Sequence, residues 1–359
     1  MAEPVAPGRA LHPRHGPHDP VGATPDRVPG SVRRTTSFDM LRPDGIRRDL
    51  RLTGRARDVR TAPDGTITVV GEAGGDVVVD YLDACSVTAI SSTPGLPGLE
   101  RIVGRAAATG FRAAVDDAVD VVVAKASPLY QLLDDIPVAT LVSGYAVGFA
   151  RQAGDGDGDG DGDGDGDGDE QPFAEMRRPE GMAELQVADL CAGFQSGGTI
   201  MTARAEGDYP LVTGPLTPPV ARPDDPWAWH DLPVLPFDAM RRIRRIDVVP
   251  GGDGLVTVDA HFRDSHMGPD ALETTVHEYR VRAVVDLRRE TFVEAVAVPH
   301  VLPWFECPQA AASAGRLAGM PVATLRPAVR AEFLGPTTCT HLNDTLRALE
   351  DVPRLAAHL

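Results

Sequence analysis

The chain has 359 residues, 42% of them apolar and 24% charged, which is enough for two buried cores and ordinary for a globular protein. A net charge of −17 with no basic stripe excludes nucleic acid as an expected partner. Four Cys are too few for a disulfide scaffold, and there is neither an apolar signal core nor a run near ~20 apolar residues. The expectation is therefore a reduced, cytoplasmic protein with no membrane partner; the sequence names no protein partner.

Residues 1–30 are rich in Pro, Gly and His and read as a disordered tail that includes His12, His15 and His18. Residues 31–151 form a first unit. Within it, 48–61, 66–71 and 77–90 read as strands, divided by turns at Pro63-Asp64-Gly65 and Gly74-Gly75. Residues 99–119 read as a helix, with Ile102, Val103, Ala106, Ala107, Phe111 and Val115 near helical spacing. Ser127-Pro128 opens another helix, and Pro137 ends it. Residues 152–172 are a linker of alternating Gly and Asp that has nothing to bury. A plain two-residue repeat lacks the ligand and turn positions of a calcium loop.

Residues 173–239 are a Pro-rich connector with a short helix at 184–195; Trp227 and Trp229 argue that it lies against a domain. The second unit spans 240–359. Its strands fall at 246–249, 255–263, 275–287 and 292–298, the last two joined as a hairpin, and its helices at 308–317, 325–333 and 340–349. Arg241-Arg242 and Arg244-Arg245 lead into the first of these strands and read as solvated edge charges. Strands followed by helices give an α+β fold: two pseudo-repeated units, each an antiparallel sheet followed by helices packed on one face.

The two units repeat at a fixed offset. Shifted by 206 positions, residues 54–101 lie on 260–307 without a gap, with Arg57-Asp58 on Arg263-Asp264 and Val78-Val79-Asp80 on Val284-Val285-Asp286. The Arg-Asp pair persists in both copies and so reads as a structural ion pair or turn. In the same register His277 stands opposite Gly71 and Cys307 opposite Arg101, while Cys339 and His341 have no Cys or His counterpart. His277, Cys307, Cys339 and His341 are thus candidate metal ligands of the second copy alone, with Glu278 as a supporting carboxylate. Two thiolates and two imidazoles suit zinc or an iron–sulfur cluster. The first copy is expected to form no such cluster around Gly71 and Arg101.

The remaining Cys and His have plainer readings. Cys85 reads as core, Cys191 as a packed helix residue with a lesser chance of approaching the site from the connector, and His266 as exposed. His230 and His300 are minor candidates for extra ligands.

Arg244-Arg245-Ile246-Asp247, the strand opening His277-Glu278-Tyr279, Cys307-Pro308 and Gly335-Pro336-Thr337-Thr338-Cys339-Thr340-His341-Leu342 resemble the uncharacterised bacterial family known as domain of unknown function 2889. So do Asp224-Asp225-Pro226 and Trp229-His230 of the connector, and the likeness extends over nearly the whole chain outside the tail and the Gly-Asp tract. It implies no established activity. More faintly, the order of a ligand before a long strand, a Val-Val-Asp hairpin, a Cys after it and a Cys/His pair opening the last helix is similar to the NifU/IscU-type iron–sulfur scaffold proteins. That resemblance would place His277, Cys307, Cys339 and His341 at cluster-ligand positions and Glu278 at the nearby carboxylate. Three functions follow: a metal-binding module, a cysteine-dependent enzyme using Cys339 with His341 or His277 as base, or a structural or partner-binding protein without metal.

Overall fold

The computed structural model describes residues 12–81, 84–152, 187–208 and 210–359. The start of the tail, the Gly-Asp linker beyond its first residue and the first part of the connector lie outside these residues. The first unit contains strands β1 (Ser31–Leu41), β2 (Leu50–Thr61), β3 (Ile67–Asp80) and β4 (Ser86–Thr93). Helices α1 (Phe111–Ala118), α2 (Val121–Lys125), α3 (Leu129–Val142) and α4 (Gly144–Gln152) follow them. The connector carries α5 (Thr199–Ala205). The second unit repeats the order with β5 (Met240–Gly252), β6 (Leu255–Met267), β7 (Glu273–Asp286) and β8 (Thr291–Val301), then α6 (Leu325–Glu332), α7 (Thr340–Ala348) and α8 (Val352–Ala356).

The eight strands form one antiparallel sheet in the order β4-β3-β2-β1-β5-β6-β7-β8. The α+β architecture read from the sequence is the one found, with the two sheets fused edge to edge through β1 and β5. Their ladder sets Thr36 against Arg244 at its middle. The ladders of the two units match at the 206-residue offset. Arg57 faces Glu72 as Arg263 faces Glu278, and the register slips after Asp58 as it does after Asp264.

Several elements differ from their sequence reading. Strand β1 went unread because one of its faces is polar yet buried and the other is interrupted by Arg34 and Thr36 between Val32 and Phe38, so no clear apolar alternation marks it. Strand β3 runs straight through Gly74-Gly75, which serves packing rather than a turn. Gly75 pairs with Gly54, where a Cβ would sit 2.8 Å from the Phe38 ring; the glycines leave room for that ring. The helix expected at 99–119 is broken by Gly104 and Gly110, both at positive φ, into a 3-10 turn and α1. Helix α3 continues past Pro137 to Val142. Residues Leu129–Ala150 are together long and apolar enough to cross a membrane by length and composition, and 67% of that window is buried inside the protein. The segment at 308–317 is a 3-10 helix rather than an α-helix, and 187–195 holds only a 3-10 turn.

The tail is also corrected. From His12 onward it is packed on the second unit: His18 bridges to Val301, the Val21 N–H donates to Glu278 at 2.8 Å, and Trp229 Nε1 donates to the Thr24 hydroxyl at 2.7 Å. It shares the face of the sheet opposite the helices with the later part of the connector, whose Ala228 and Trp229 pack on Ile243.

Each unit has an apolar core between sheet and helices, around Phe38, Leu52 and Phe111 in the first and Phe262, Val281 and Leu346 in the second. Between these cores lies a buried ionic layer. Arg34 grips Asp58 at 2.6 and 2.5 Å and also bonds Asp351. Arg242 grips Asp264 at 2.8 and 2.9 Å and reaches Asp344 at 2.8 Å. Arg244 bonds Asp135 at 2.6 Å, and Arg347 reaches Asp134 at 3.2 Å. The arginines expected at a solvated edge are therefore interior, because β5 is a central strand. A guanidinium can enter such a layer only with carboxylates to offset its desolvation, and helices of both units supply them.

Candidate functional site

Strands β6 and β7 place Asp264 directly opposite His277. Both project to the helix face, since Asp264 shares the Arg242 guanidinium with Asp344 of α7. Helix α7 begins at Thr340 with Cys339 as its N-cap residue, which brings His341 over His277. The two rings stack with centroids 3.7 Å apart and planes 19° from parallel. Asp264 Oδ2 lies 3.4 Å from His277 Nδ1 and 3.7 Å from His341 Nε2. One ligand atom from each of Asp264, His277 and His341 lies within 4.8 Å of the other two. The His side chains are 13% and 17% exposed, so the group is reachable from solvent, while Asp264 behind them is fully buried.

The charge states suit this arrangement. Burial opposes ionisation of Asp264, but the Arg242 guanidinium, bonded to both carboxylate oxygens, outweighs it and, with His277 and His341 nearby, holds the carboxyl well below the usual range. Burial and the neighbouring His277 push His341 down to about 3, so it is a neutral imidazole near pH 7.

The first unit shows the same frame without these ligands. Asp58 is clamped by Arg34 as Asp264 is by Arg242. In place of His277 stands Gly71, whose added Cβ would lie 3.2 Å from Pro128 Cδ and 3.4 Å from Asp58 Oδ2. Proline at the start of α3 closes the space that His341 covers at the start of α7. Among the described residues, no comparable group forms around Gly71 and Arg101.

Of the residues singled out in the sequence, His277 and His341 come together, and Cys339 Sγ stands 3.9 Å from His341 Nδ1. Cys307 is not part of this group; its sulfur faces Gly193 of the connector. Glu278 projects to the opposite face of β7, where it bonds His261 Nε2 and Arg263 Nε, each at 2.7 Å, so it does not support His277. Strand alternation forces this, because adjacent residues point to opposite sides. His230 lies between the Thr35 and Ser37 hydroxyls at 2.9 and 2.8 Å, and His300 faces the Asp19 carbonyl; neither approaches the site. His266, expected exposed, is fully buried and packs on Phe149 at 4.5 Å. Cys85 is buried, as read. The missed residue is Asp264, hidden in an Arg-Asp pair common to both units. The register of the β6–β7 hairpin, which pairs it with His277, is the signal that would have exposed it.

Burial, then the nearby Cys191, pushes the Cys339 thiol up to about 12. Its place at a helix N-terminus does not yield the lowered pKa a nucleophilic thiol requires.

Fold and site together define an α+β protein with a continuous antiparallel sheet and a His/Asp triad under the last long helix. Residues 240–354 match the family model described as "Protein of unknown function (DUF2889)", which supports that family for the second unit. The match is narrower than the resemblance suggested and does not reach the connector. No curated protein and no solved structure matches the chain, and nothing supports the likeness to NifU/IscU-type scaffolds.

Proposed function

We propose that the protein is a metal-binding module holding a divalent transition metal, zinc in the first instance, on Asp264, His277 and His341. The observation that carries this reading is the approach of their three ligand atoms to within 4.8 Å of one another. Two imidazoles and a carboxylate are a ligand set that zinc accepts, and three protein ligands leave a further position for water or a substrate atom. The partial exposure of both His rings keeps that position accessible. Arg242 keeps Asp264 ionised, and the lowered His341 leaves its imidazole free of a competing proton. The second unit gained or kept this site on a frame the first unit shares, consistent with an internal duplication in which one copy holds Gly71 where the other holds His277. The raised Cys339 thiol weighs against a cysteine-dependent enzyme.

The test is elemental analysis of the purified full chain beside His277→Ala/His341→Ala. Loss of about one equivalent of zinc in the variant is expected. Equal metal in both proteins, or none in either after zinc is supplied, would sink the reading.

A further inference from the structure

The face of the sheet opposite the helices carries a cleft of about 240 Å³ that shares no residue with the triad. Three adjacent strands lay its floor, with Arg241 and Ile243 from β5, Arg263 and Ser265 from β6 and Glu273 at the start of β7. Connector residues 217–221 form one wall, and Leu232 closes the space from the other side. Main-chain bonds fix that wall to the sheet: Thr275 N–H donates to the Pro215 carbonyl at 2.9 Å, and Thr217 N–H to the Glu273 carbonyl at 2.8 Å. The cleft therefore has a defined width. Its sides are apolar, since Val220 and Leu232 pack with Trp229 on Ile243 and two prolines precede Val220.

The charges around the space are unequal. Arg241 is 8% exposed, grips Asp39 at 2.6 and 3.1 Å and donates to the Pro233 carbonyl at 2.6 Å. Arg263 donates to Glu278 at 2.7 Å, to the Pro218 carbonyl at 2.7 Å and to the Val21 carbonyl at 2.8 Å. Each guanidinium thus has a carboxylate already. Glu273 has no such partner. The buried Ser265 hydroxyl donates to its Oε1 at 2.5 Å, and among the described residues no Arg, Lys or His pairs with it. The hydroxyl fixes the carboxylate in place without neutralising it.

One uncompensated negative charge in an apolar-sided space selects its ligand. A partly buried carboxylate gains most from a cation that donates hydrogen bonds and brings apolar surface of its own. A single carboxylate supplies too few ligands for calcium or magnesium. An anion would meet Glu273, and Pro218 and Pro219 have no N–H to offer it.

We infer that this cleft binds a small aliphatic primary ammonium ion, with the ammonium on Glu273 and the chain between Val220, Leu232 and Ile243. Volume sets the size: at ~30 Å³ per water the space equals ~8 waters, room for an ammonium on about five carbons. No bond is made or broken. The inference stands apart from the metal reading, because it uses no residue of the triad.

The test titrates n-alkylammonium chlorides into the full chain at pH 7 and low salt, followed by calorimetry. From propylammonium to pentylammonium, affinity should rise about threefold to fourfold per methylene. The uncharged 1-pentanol and the anionic pentanoate should bind at least ~10-fold more weakly than pentylammonium. Glu273→Gln, which keeps the shape and the Ser265 partner, should remove the advantage of pentylammonium over pentanol. His277→Ala/His341→Ala should bind pentylammonium as wild type does, so the result is independent of the fate of the metal site. Pentanol binding as well as pentylammonium to wild type, no ammonium binding at tens of millimolar, or an ammonium affinity unchanged in Glu273→Gln would overturn the inference. The first two of these outcomes need only the wild-type protein, so they decide the matter even if Glu273→Gln does not fold.

Discussion

Replacing Arg242 with Met tests the ionic layer and the triad together. Met retains much of the packing volume over the Phe262 ring, whose centroid lies 4.8 Å from the guanidinium carbon, but removes three charge-assisted bonds. Asp344 keeps a partner in Arg347 at 2.7 Å. Asp264 keeps no guanidinium and is left with the two imidazoles. Orphaning one carboxylate of a buried pair destabilises by about 3–5 kcal/mol, far more than the ~0–1 kcal/mol of a surface bridge. Arg34→Met makes the same change in the first unit: Asp58 loses both of its bonds, while Asp351 keeps Arg326 and Arg354. Without metal the two variants should therefore lose similar stability in a urea titration. Zinc at 100 times its Kd stabilises the wild type by about 2.7 kcal/mol. It should stabilise Arg242→Met by more, because the ion replaces the charge that Asp264 lost, and Arg34→Met by no more than wild type. A cost below ~1 kcal/mol for Arg242→Met would refute the buried-pair argument. Equal rescue of both variants by zinc would refute the placement of the ion at Asp264.

Further expectations follow from other parts of the fold. Burial, then the nearby Arg57, push His230 down to about 3; its neutral form is the folded one. Its stabilising contribution is full above the unfolded value near 6.5 and is lost as pH falls from there toward 3. At pH 5 the penalty is about 2 kcal/mol, so His230→Asn should flatten the slope of stability between pH 7 and 5 in denaturant titrations. Gly214→Ala would drive a Cβ to 1.6 Å from the Thr275 carbonyl oxygen. The connector should lift off β7, seen as faster proteolytic cleavage near residue 214, whereas Gly95→Ala, with open space around it, should leave cleavage unchanged. Glu278→Ala leaves Arg263 without its carboxylate and should destabilise by about 3–5 kcal/mol while zinc stoichiometry stays at the wild-type value. Loss of zinc in that variant would return Glu278 to the site.

The sequence was most informative where pattern and burial agree. Strands β6 to β8 and helices α6 and α7 alternate or repeat at their proper periods, and they stand close to where they were read. Strand β1 and the arginines of β5 could not be read this way. Their buried face is charged, and besides the neighbouring-strand residues Asp58 and Asp264 the carboxylates that neutralise it come from α3, α7 and the turn before α8, more than ninety positions away. The site was half legible. The offset comparison isolated His277 and His341 because it asked what one copy has and the other lacks. It discarded Asp264 for the same reason, since the triad borrows a residue that both copies keep for structure. Glu278 was misplaced by adjacency in sequence, which in a strand means opposite faces.

The β1–β5 seam has a consequence for any chain confined to the matched segment, 240–354. Cut free of the first unit, β5 would become a border strand with a bare row of N–H and C=O groups, and Arg242 and Arg244 would lie near that border. Such a chain would have to find a covering strand, most simply from a second identical chain, and would then present two identical sites. Joining two units in one polypeptide supplies the cover permanently and at fixed stoichiometry, whatever the protein concentration. It also removes the obligation to be symmetric. One half is free to keep the histidines, and the other can fill the same space with Gly71 and Pro128.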